Sequence, residues 1–187
     1  MTEGTRCCPA TAHFYRGCDR TVAQNTLIII LMGVSGSGKT TVGRLLAGEL
    51  GWMFYDGDDF HPEANIEKMK KGISLTDEDR KPWLDALQNL ILDLVRNAQS
   101  AVVACSALKK SYRDILVKDK ENVVFVYLEG DYDLVHQRLL ERKGHFFDAK
   151  LLESQFETLE EPEGVLTINI AQEPVKIVSQ VRRGLGP

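Results

Sequence analysis

The sequence of 187 residues predicts an α/β fold in three layers, a five-stranded parallel sheet with helices on both faces. Two observations predict it. From Thr26 onward, short and almost continuous apolar runs alternate with helix-type stretches, the pattern of strands buried on both faces. The first of these runs leads directly into Gly33-Val34-Ser35-Gly36-Ser37-Gly38-Lys39-Thr40, a complete G-x-x-x-x-G-K-[ST] phosphate-binding loop.

The elements follow in order. Leu27 to Met32 reads as a buried strand, and Thr41 to Leu50 as a helix ended by Gly51. A short strand at Met53-Phe54-Tyr55 runs into the acidic cluster Asp56-Gly57-Asp58-Asp59. The next helix has Pro62 suited to its first turn and Gly72 to its end. Leu75-Thr76-Asp77-Glu78-Asp79 is a helix start. Behind it Trp83, Leu84, Leu87, Leu90, Ile91, Leu94 and Val95 form an amphipathic stripe. Ala101 to Cys105 is a third strand, Ser111 to Lys118 a helix, and Val123 to Leu128 a fourth strand. Asp131 caps a helix through Glu141, and Asp148 another through about Leu159. Leu166 to Ile170 is the last strand. The C-terminal helix has Pro174 near its start and Val175, Val178 and Val181 on one face.

Residues 26–187 read as a single domain, and residues 1 to about 25, without periodicity, as a disordered extension. The net charge of −4 gives no basic field for nucleic acid or an anionic membrane, and no apolar run reaches the ~18–20 residues of a membrane span. Cys7, Cys8, Cys18 and Cys105 form no Cys-x-x-Cys pair or Cys/His ladder, which argues against zinc and disulfides and fits a reduced, cytoplasmic setting.

The loop defines the first chemistry. Backbone N–H groups of Gly33, Ser35, Gly36, Ser37, Gly38, Lys39, Thr40 and Thr41 are expected around the phosphates of ATP, at the positive end of the following helix. Lys39 reaches the β- and γ-phosphates, and the Thr40 hydroxyl coordinates Mg²⁺. A guanine-reading Asn-Lys-x-Asp motif is absent and the chain is small, so a small-molecule kinase is favoured over a switch or a motor. Such a kinase needs a metal held in place and an acceptor hydroxyl aligned with the moving phosphoryl group. Asp56 and Asp58 stand two apart past a strand end, hence on one face if the chain stays extended. Asp58 takes the role of base and Asp56 the Mg²⁺ side.

Three basic clusters offer charge to an anionic acceptor. They are Arg80-Lys81, the stretch Lys109-Lys110-Ser111-Tyr112-Arg113 after strand three, and Arg138 with Arg142, Lys143 and His145. The last resembles a mobile flap over about residues 138–150, with Arg142 supplying charge to the transition state.

The chain resembles the gluconokinases, small P-loop sugar-acid kinases related in fold to shikimate and nucleoside monophosphate kinases. The resemblance rests on Met32 to Lys39, Asp56-Gly57-Asp58-Asp59-Phe60-His61-Pro62, Asp77 to Leu84, Cys105 to Asp114, Arg142-Lys143-Gly144-His145-Phe146 and Gln155-Phe156-Glu157-Thr158-Leu159. It implies ATP-dependent phosphorylation of the 6-hydroxyl of D-gluconate, with a homodimer frequent among family members. Asp58, His61, Arg80, Lys109, Arg113, His145 and Gln155 are then candidates for the acceptor site. Arg80 or Arg113 is preferred for its carboxylate, because the planar guanidinium can bind both oxygens. His61 serves equally well as a turn histidine. The resemblance also implies an adenine site near Arg138, Gln172 and Pro174. The alternatives are a kinase for another small acid or a nucleotide, and a regulatory module that binds ATP without turnover.

Overall fold

The structure is a computed structural model and describes residues 26–117, 122–141 and 149–186. Its strands are β1 (Ile28–Met32), β2 (Met53–Asp56), β3 (Ala101–Ala104), β4 (Val123–Glu129) and β5 (Leu166–Asn169). They pair in parallel in the order β2-β3-β1-β4-β5, so β1 lies at the centre and is wholly buried.

The alternation of side chains along β1 divides the core into two halves. Ile29 and Leu31 pack with Val42 and Leu46 of α1 (Lys39–Leu50) and with Ile177, Val178 and Val181 of α7 (Pro174–Leu185). Ile28, Ile30 and Met32 pack on the other face with Trp83, Leu84, Leu87, Ile91 and Leu94 of α3 (Asp77–Arg96) and with Tyr112 and Leu116 of α4 (Lys110–Leu116). Each such side chain removed from water contributes about 1.5–3 kcal/mol, which makes this two-sided packing the main force behind the sheet. The described elements are completed by a 3-10 turn (Gly57–Phe60), α2 (Glu63–Lys70), α5 (Tyr132–Glu141) and α6 (Ala149–Thr158). Among the described residues no helix is long and apolar enough to cross a membrane.

Several boundaries differ from the sequence reading. Helix α1 starts two residues early, because Gly38 in a left-handed conformation (φ 94°) already turns the chain into the helix and its carbonyl accepts from Val42 N at 2.9 Å. Lys39 and Thr40 therefore belong to the first helical turn. Val175 is 60% exposed, and the buried face of α7 is Ile177, Val178 and Val181. Asp131 does cap α5, its carboxylate accepting from Leu134 N at 2.8 Å. Asp148, expected to cap α6, lies outside the described residues.

Helix α3 begins with a capping box. Asp79 N donates to Thr76 Oγ1 at 3.2 Å, and Thr76 N donates to the Asp79 carboxylate at 3.0 Å. This start fixes Arg80 one turn into the helix. Thr76→Ala is expected to cost about 1 kcal/mol in urea unfolding, the usual value of such a cap. No loss would mean that the Lys68–Asp79 ion pair at 2.7 Å alone sets the helix start.

Candidate active site

In a parallel sheet of this kind the ligand crevice opens beyond the carboxyl ends of the strands, where the connections leave a central strand in opposite directions. Here that strand is β1, and the loops after β1, β2 and β3 meet at its end. The segment after β3 is tied to the glycine loop by Gly33 N donating to Ser106 O at 3.2 Å.

The glycine loop has the form of an anion cradle. Gly33 has φ 143°, and a Cβ there would lie 2.8 Å from the Leu128 carbonyl oxygen, so a side chain is excluded. Gly38 at the N-cap of α1 offers no side-chain cap, and the first turn holds no carboxylate, which suits its first N–H groups to an incoming anion. Ser37 is fully buried, and its hydroxyl lacks a hydrogen-bond partner among the described residues. A buried polar atom of this kind is costly unless a ligand satisfies it, and a phosphate oxygen fits. Lys39 Nζ donates to the carbonyls of Gly33 at 3.0 Å and Val34 at 2.9 Å, so the lysine folds back over its own loop. Burial pushes its ammonium below the ordinary lysine range, while the nearby Asp58 and Asp56 oppose that shift.

Thr40 Oγ1 donates to the Asp56 carboxylate at 2.8 Å. The other Asp56 oxygen accepts from Asp58 N at 3.3 Å and caps the 3-10 turn. Asp56 thus joins the two loops and aims the turn that carries Asp58. Gly57 permits this turn, because a Cβ there would lie 2.5 Å from Ala104 O. Among the described residues no group of three or more His, Cys, Asp or Glu side chains forms a metal cage. The Thr40–Asp56 pair suits Mg²⁺, which takes one or two protein oxygens and completes its shell with phosphates and water.

Two cavities flank the loop. One of about 320 Å³ is lined by residues of the loop together with Thr41, Arg138, Gln172 and Pro174. Arg138 Nη2 is anchored on the Ile170 carbonyl at 2.7 Å, which keeps α5 beside the turn after β5. The second cavity, of about 410 Å³, is lined by His61, Arg80, Trp83, Ser106, Tyr112 and Gln155 among others. Ser35, Lys39 and Asp58 line both.

The walls of the second cavity are well braced. Trp83 Nε1 donates to Gly57 O at 2.7 Å, and the Trp83 ring stacks on His61 with centroids 4.4 Å apart. Arg80 donates to Leu75 O at 2.6 Å and lies over the Tyr112 ring, 5.7 Å from its centroid. Trp83 and Tyr112 had appeared in the sequence only as part of a core stripe and a basic cluster. The one available signal was that an indole N–H inside an apolar stripe needs a polar partner.

The structure does not bring Lys109 and Arg113 into this cavity. Lys109 is paired with both oxygens of Asp77 at 2.8 Å, in a cluster where the Tyr112 hydroxyl also donates to Asp77. Arg113 is buried and donates to the carbonyls of Ala107 at 3.0 Å and Leu108 at 2.9 Å. Ala107 has a left-handed φ of 44°, so Arg113 braces a strained turn of the β3–α4 connection. Arg142 and His145, and with them most of the expected flap, lie outside the described residues.

Burial lowers the pKa of His61 from its ordinary value, with Asp58 opposing and Arg80 adding to the effect. A histidine kept neutral by the fold but free to protonate when unfolded stabilises the protein above the unfolded value near 6.5. That stability is lost as pH falls toward the lower folded value. The urea midpoint is therefore expected to fall between about pH 7 and pH 5.5, and to fall less in His61→Gln. An equal fall in both proteins would place the pH dependence on another group.

Comparison with known proteins agrees with this geometry. Residues 35–170 match the family model described as shikimate kinase. A thermoresistant gluconokinase of Escherichia coli (strain K12) is 49% identical over 149 residues, which span 78% of this chain and 85% of that protein. A probable gluconokinase of Mus musculus is 44% identical over 178 residues, spanning 84% and 97%. The chain belongs to the gluconokinase family. A solved gluconokinase from Sinorhizobium meliloti 1021 superposes with a TM-score of 0.79 at 42% identity, over 86% of this chain and 92% of that one. The five-stranded parallel sheet is the framework of the P-loop kinases.

Proposed function

We propose that residues 26–187 work as one gluconokinase unit, moving the γ-phosphoryl group of ATP to the 6-hydroxyl of D-gluconate to give 6-phosphogluconate and ADP. The observation that carries this reading is the junction of the two cavities, where a loop lysine and a carboxylate, Lys39 and Asp58, face both compartments. The names of the relatives supply the acceptor; the chemistry of the second cavity suits it.

In the transfer, a bond forms between the acceptor oxygen and the γ-phosphorus while the bond to the β–γ bridging oxygen breaks. The hydroxyl proton passes to the Asp58 carboxylate. Lys39 and the loop N–H groups stabilise the charge on the phosphoryl oxygens. Thr40 and Asp56 would hold Mg²⁺, which neutralises phosphate charge when bound. Arg80, the guanidinium that lines the acceptor cavity, clamps the gluconate carboxylate, and His61 and Gln155 offer hydrogen bonds to its hydroxyls. Arg138, Gln172 and Pro174 form the nucleotide side. A cytoplasmic setting is consistent with Cys105, a free thiol whose burial pushes its pKa up to about 12.

The test is ADP release from Mg²⁺-ATP with D-gluconate, glucose, shikimate, AMP or no acceptor. Turnover that requires gluconate supports the reading. Turnover with shikimate or AMP instead rejects the acceptor assignment, and ATP binding without turnover favours a regulatory module.

A further inference from the structure

Gln155 lies 120 residues beyond Ser35 in sequence, yet its side-chain amide makes two hydrogen bonds to that residue of the phosphate loop. Ser35 N donates to Gln155 Oε1 at 2.7 Å, and Gln155 Nε2 donates to Ser35 Oγ at 3.0 Å. Ser35 lines both cavities and Gln155 lines the acceptor one. The helix that carries Gln155 is itself tied down. Leu152, one turn earlier, is fully buried in the core, and Glu160 N, just past the helix end, donates to the Leu108 carbonyl at 3.0 Å. Helix α6 thus acts as a strut between the loop after β1 and the loop after β3. An amide has two N–H donors and an oxygen with two lone pairs, so Gln155 retains one donor and one lone pair after serving Ser35.

We propose that Gln155 is a positioning residue for phosphoryl transfer. It holds Ser35 at the junction of the cavities, and its remaining donor and acceptor keep the acceptor hydroxyl in register with the γ-phosphoryl group. This inference rests on the gluconokinase reading above. Its physical basis is that displacing reacting groups by about 1 Å costs about 10²-fold in rate, whereas nucleotide affinity, spread over the whole loop, depends little on one neutral amide.

Loss of the amide then has a distinctive consequence. Water competes with the misaligned acceptor for the γ-phosphorus, forming inorganic phosphate and ADP, so ADP release outruns phosphogluconate formation. The ratio of the two products does not depend on the fraction of folded enzyme, and a purely structural role for Gln155 would leave it unchanged.

The experiment compares the full chain with Gln155→Met, which keeps the length and apolar bulk of the side chain but not its hydrogen bonds, and with Gln155→Ala. Phosphogluconate, ADP and inorganic phosphate are measured together, with nucleotide affinity determined separately. Both variants are expected to lose about 10- to 100-fold in kcat for gluconate, with nucleotide affinity within about 3-fold of wild type. Their ratio of ADP to phosphogluconate should rise above the value of about one that coupled transfer gives in the wild type. A Gln155→Met protein with wild-type kcat and a ratio of one overturns the inference alone. So does a variant in which kcat falls but the ratio stays at one. A wild type that makes no phosphogluconate overturns the gluconokinase reading and this inference with it.

Discussion

Lys39→Ala is expected to lower turnover by about 10²–10³-fold or more with every acceptor, the cost of removing a preorganised charge from the transferring group. In the structure the Lys39 ammonium rests on the carbonyls of Gly33 and Val34, next to the carboxylates of Asp56 and Asp58. Among the described residues no other lysine or arginine lines both cavities. The loop itself should survive, because its shape depends on glycine conformations and on Ser37 N donating to Val34 O at 3.2 Å. Circular dichroism and thermal melting close to wild type, combined with lost turnover, would place the defect in the chemistry. Near-normal turnover would remove the loop lysine from the mechanism.

Asp58→Asn is the second large effect. The substitution retains size and hydrogen-bonding capacity but removes the proton acceptor. Turnover should fall by about 10²–10⁴-fold, the usual range for general base catalysis. The position of the residue is set by its backbone, through Asp58 N donating to Asp56 and Trp83 Nε1 donating to Gly57 O. Neither bond involves the Asp58 side chain, so the turn should remain in place. Nucleotide affinity measured by calorimetry should remain within a few-fold of wild type. A loss of less than about 10-fold in kcat would mean that alignment dominates and that Asp58 only helps to place the acceptor.

The parts of this molecule legible in the sequence are those set by local spacing. The glycine loop, the fully apolar β1 and the stripe on α3 each identify themselves within a dozen residues, and the parallel sheet follows from their alternation. The convergence of Asp58, His61 and Arg80 on the loop lysine was also within reach, because residues after successive parallel strands meet at one edge. Side-chain partners formed across the fold were not legible. Lys109 and Arg113 follow a strand end just as Asp58 does. Yet Asp77, 32 residues away, captures the first, and the strained Ala107 turn captures the second. Gln155 reads in the sequence as a donor for substrate, and its two bonds to Ser35 of the phosphate loop, 120 residues away, had no local signal. Val175 continues an apolar spacing, but at the start of α7 it lies in solvent, and the buried face is Ile177, Val178 and Val181.

The central claim is transfer to the primary hydroxyl of gluconate, and the proton-coupled phosphorus NMR spectrum of the purified product tests it most directly. A phosphate ester on C6 couples to two equivalent-order protons and gives a triplet-like signal from the CH₂–O–P group, and this is the predicted result. A doublet, which marks an ester on a secondary carbon, would contradict the assigned alignment of Asp58 with the chain end. Inorganic phosphate as the sole product would contradict the assignment of gluconate as acceptor.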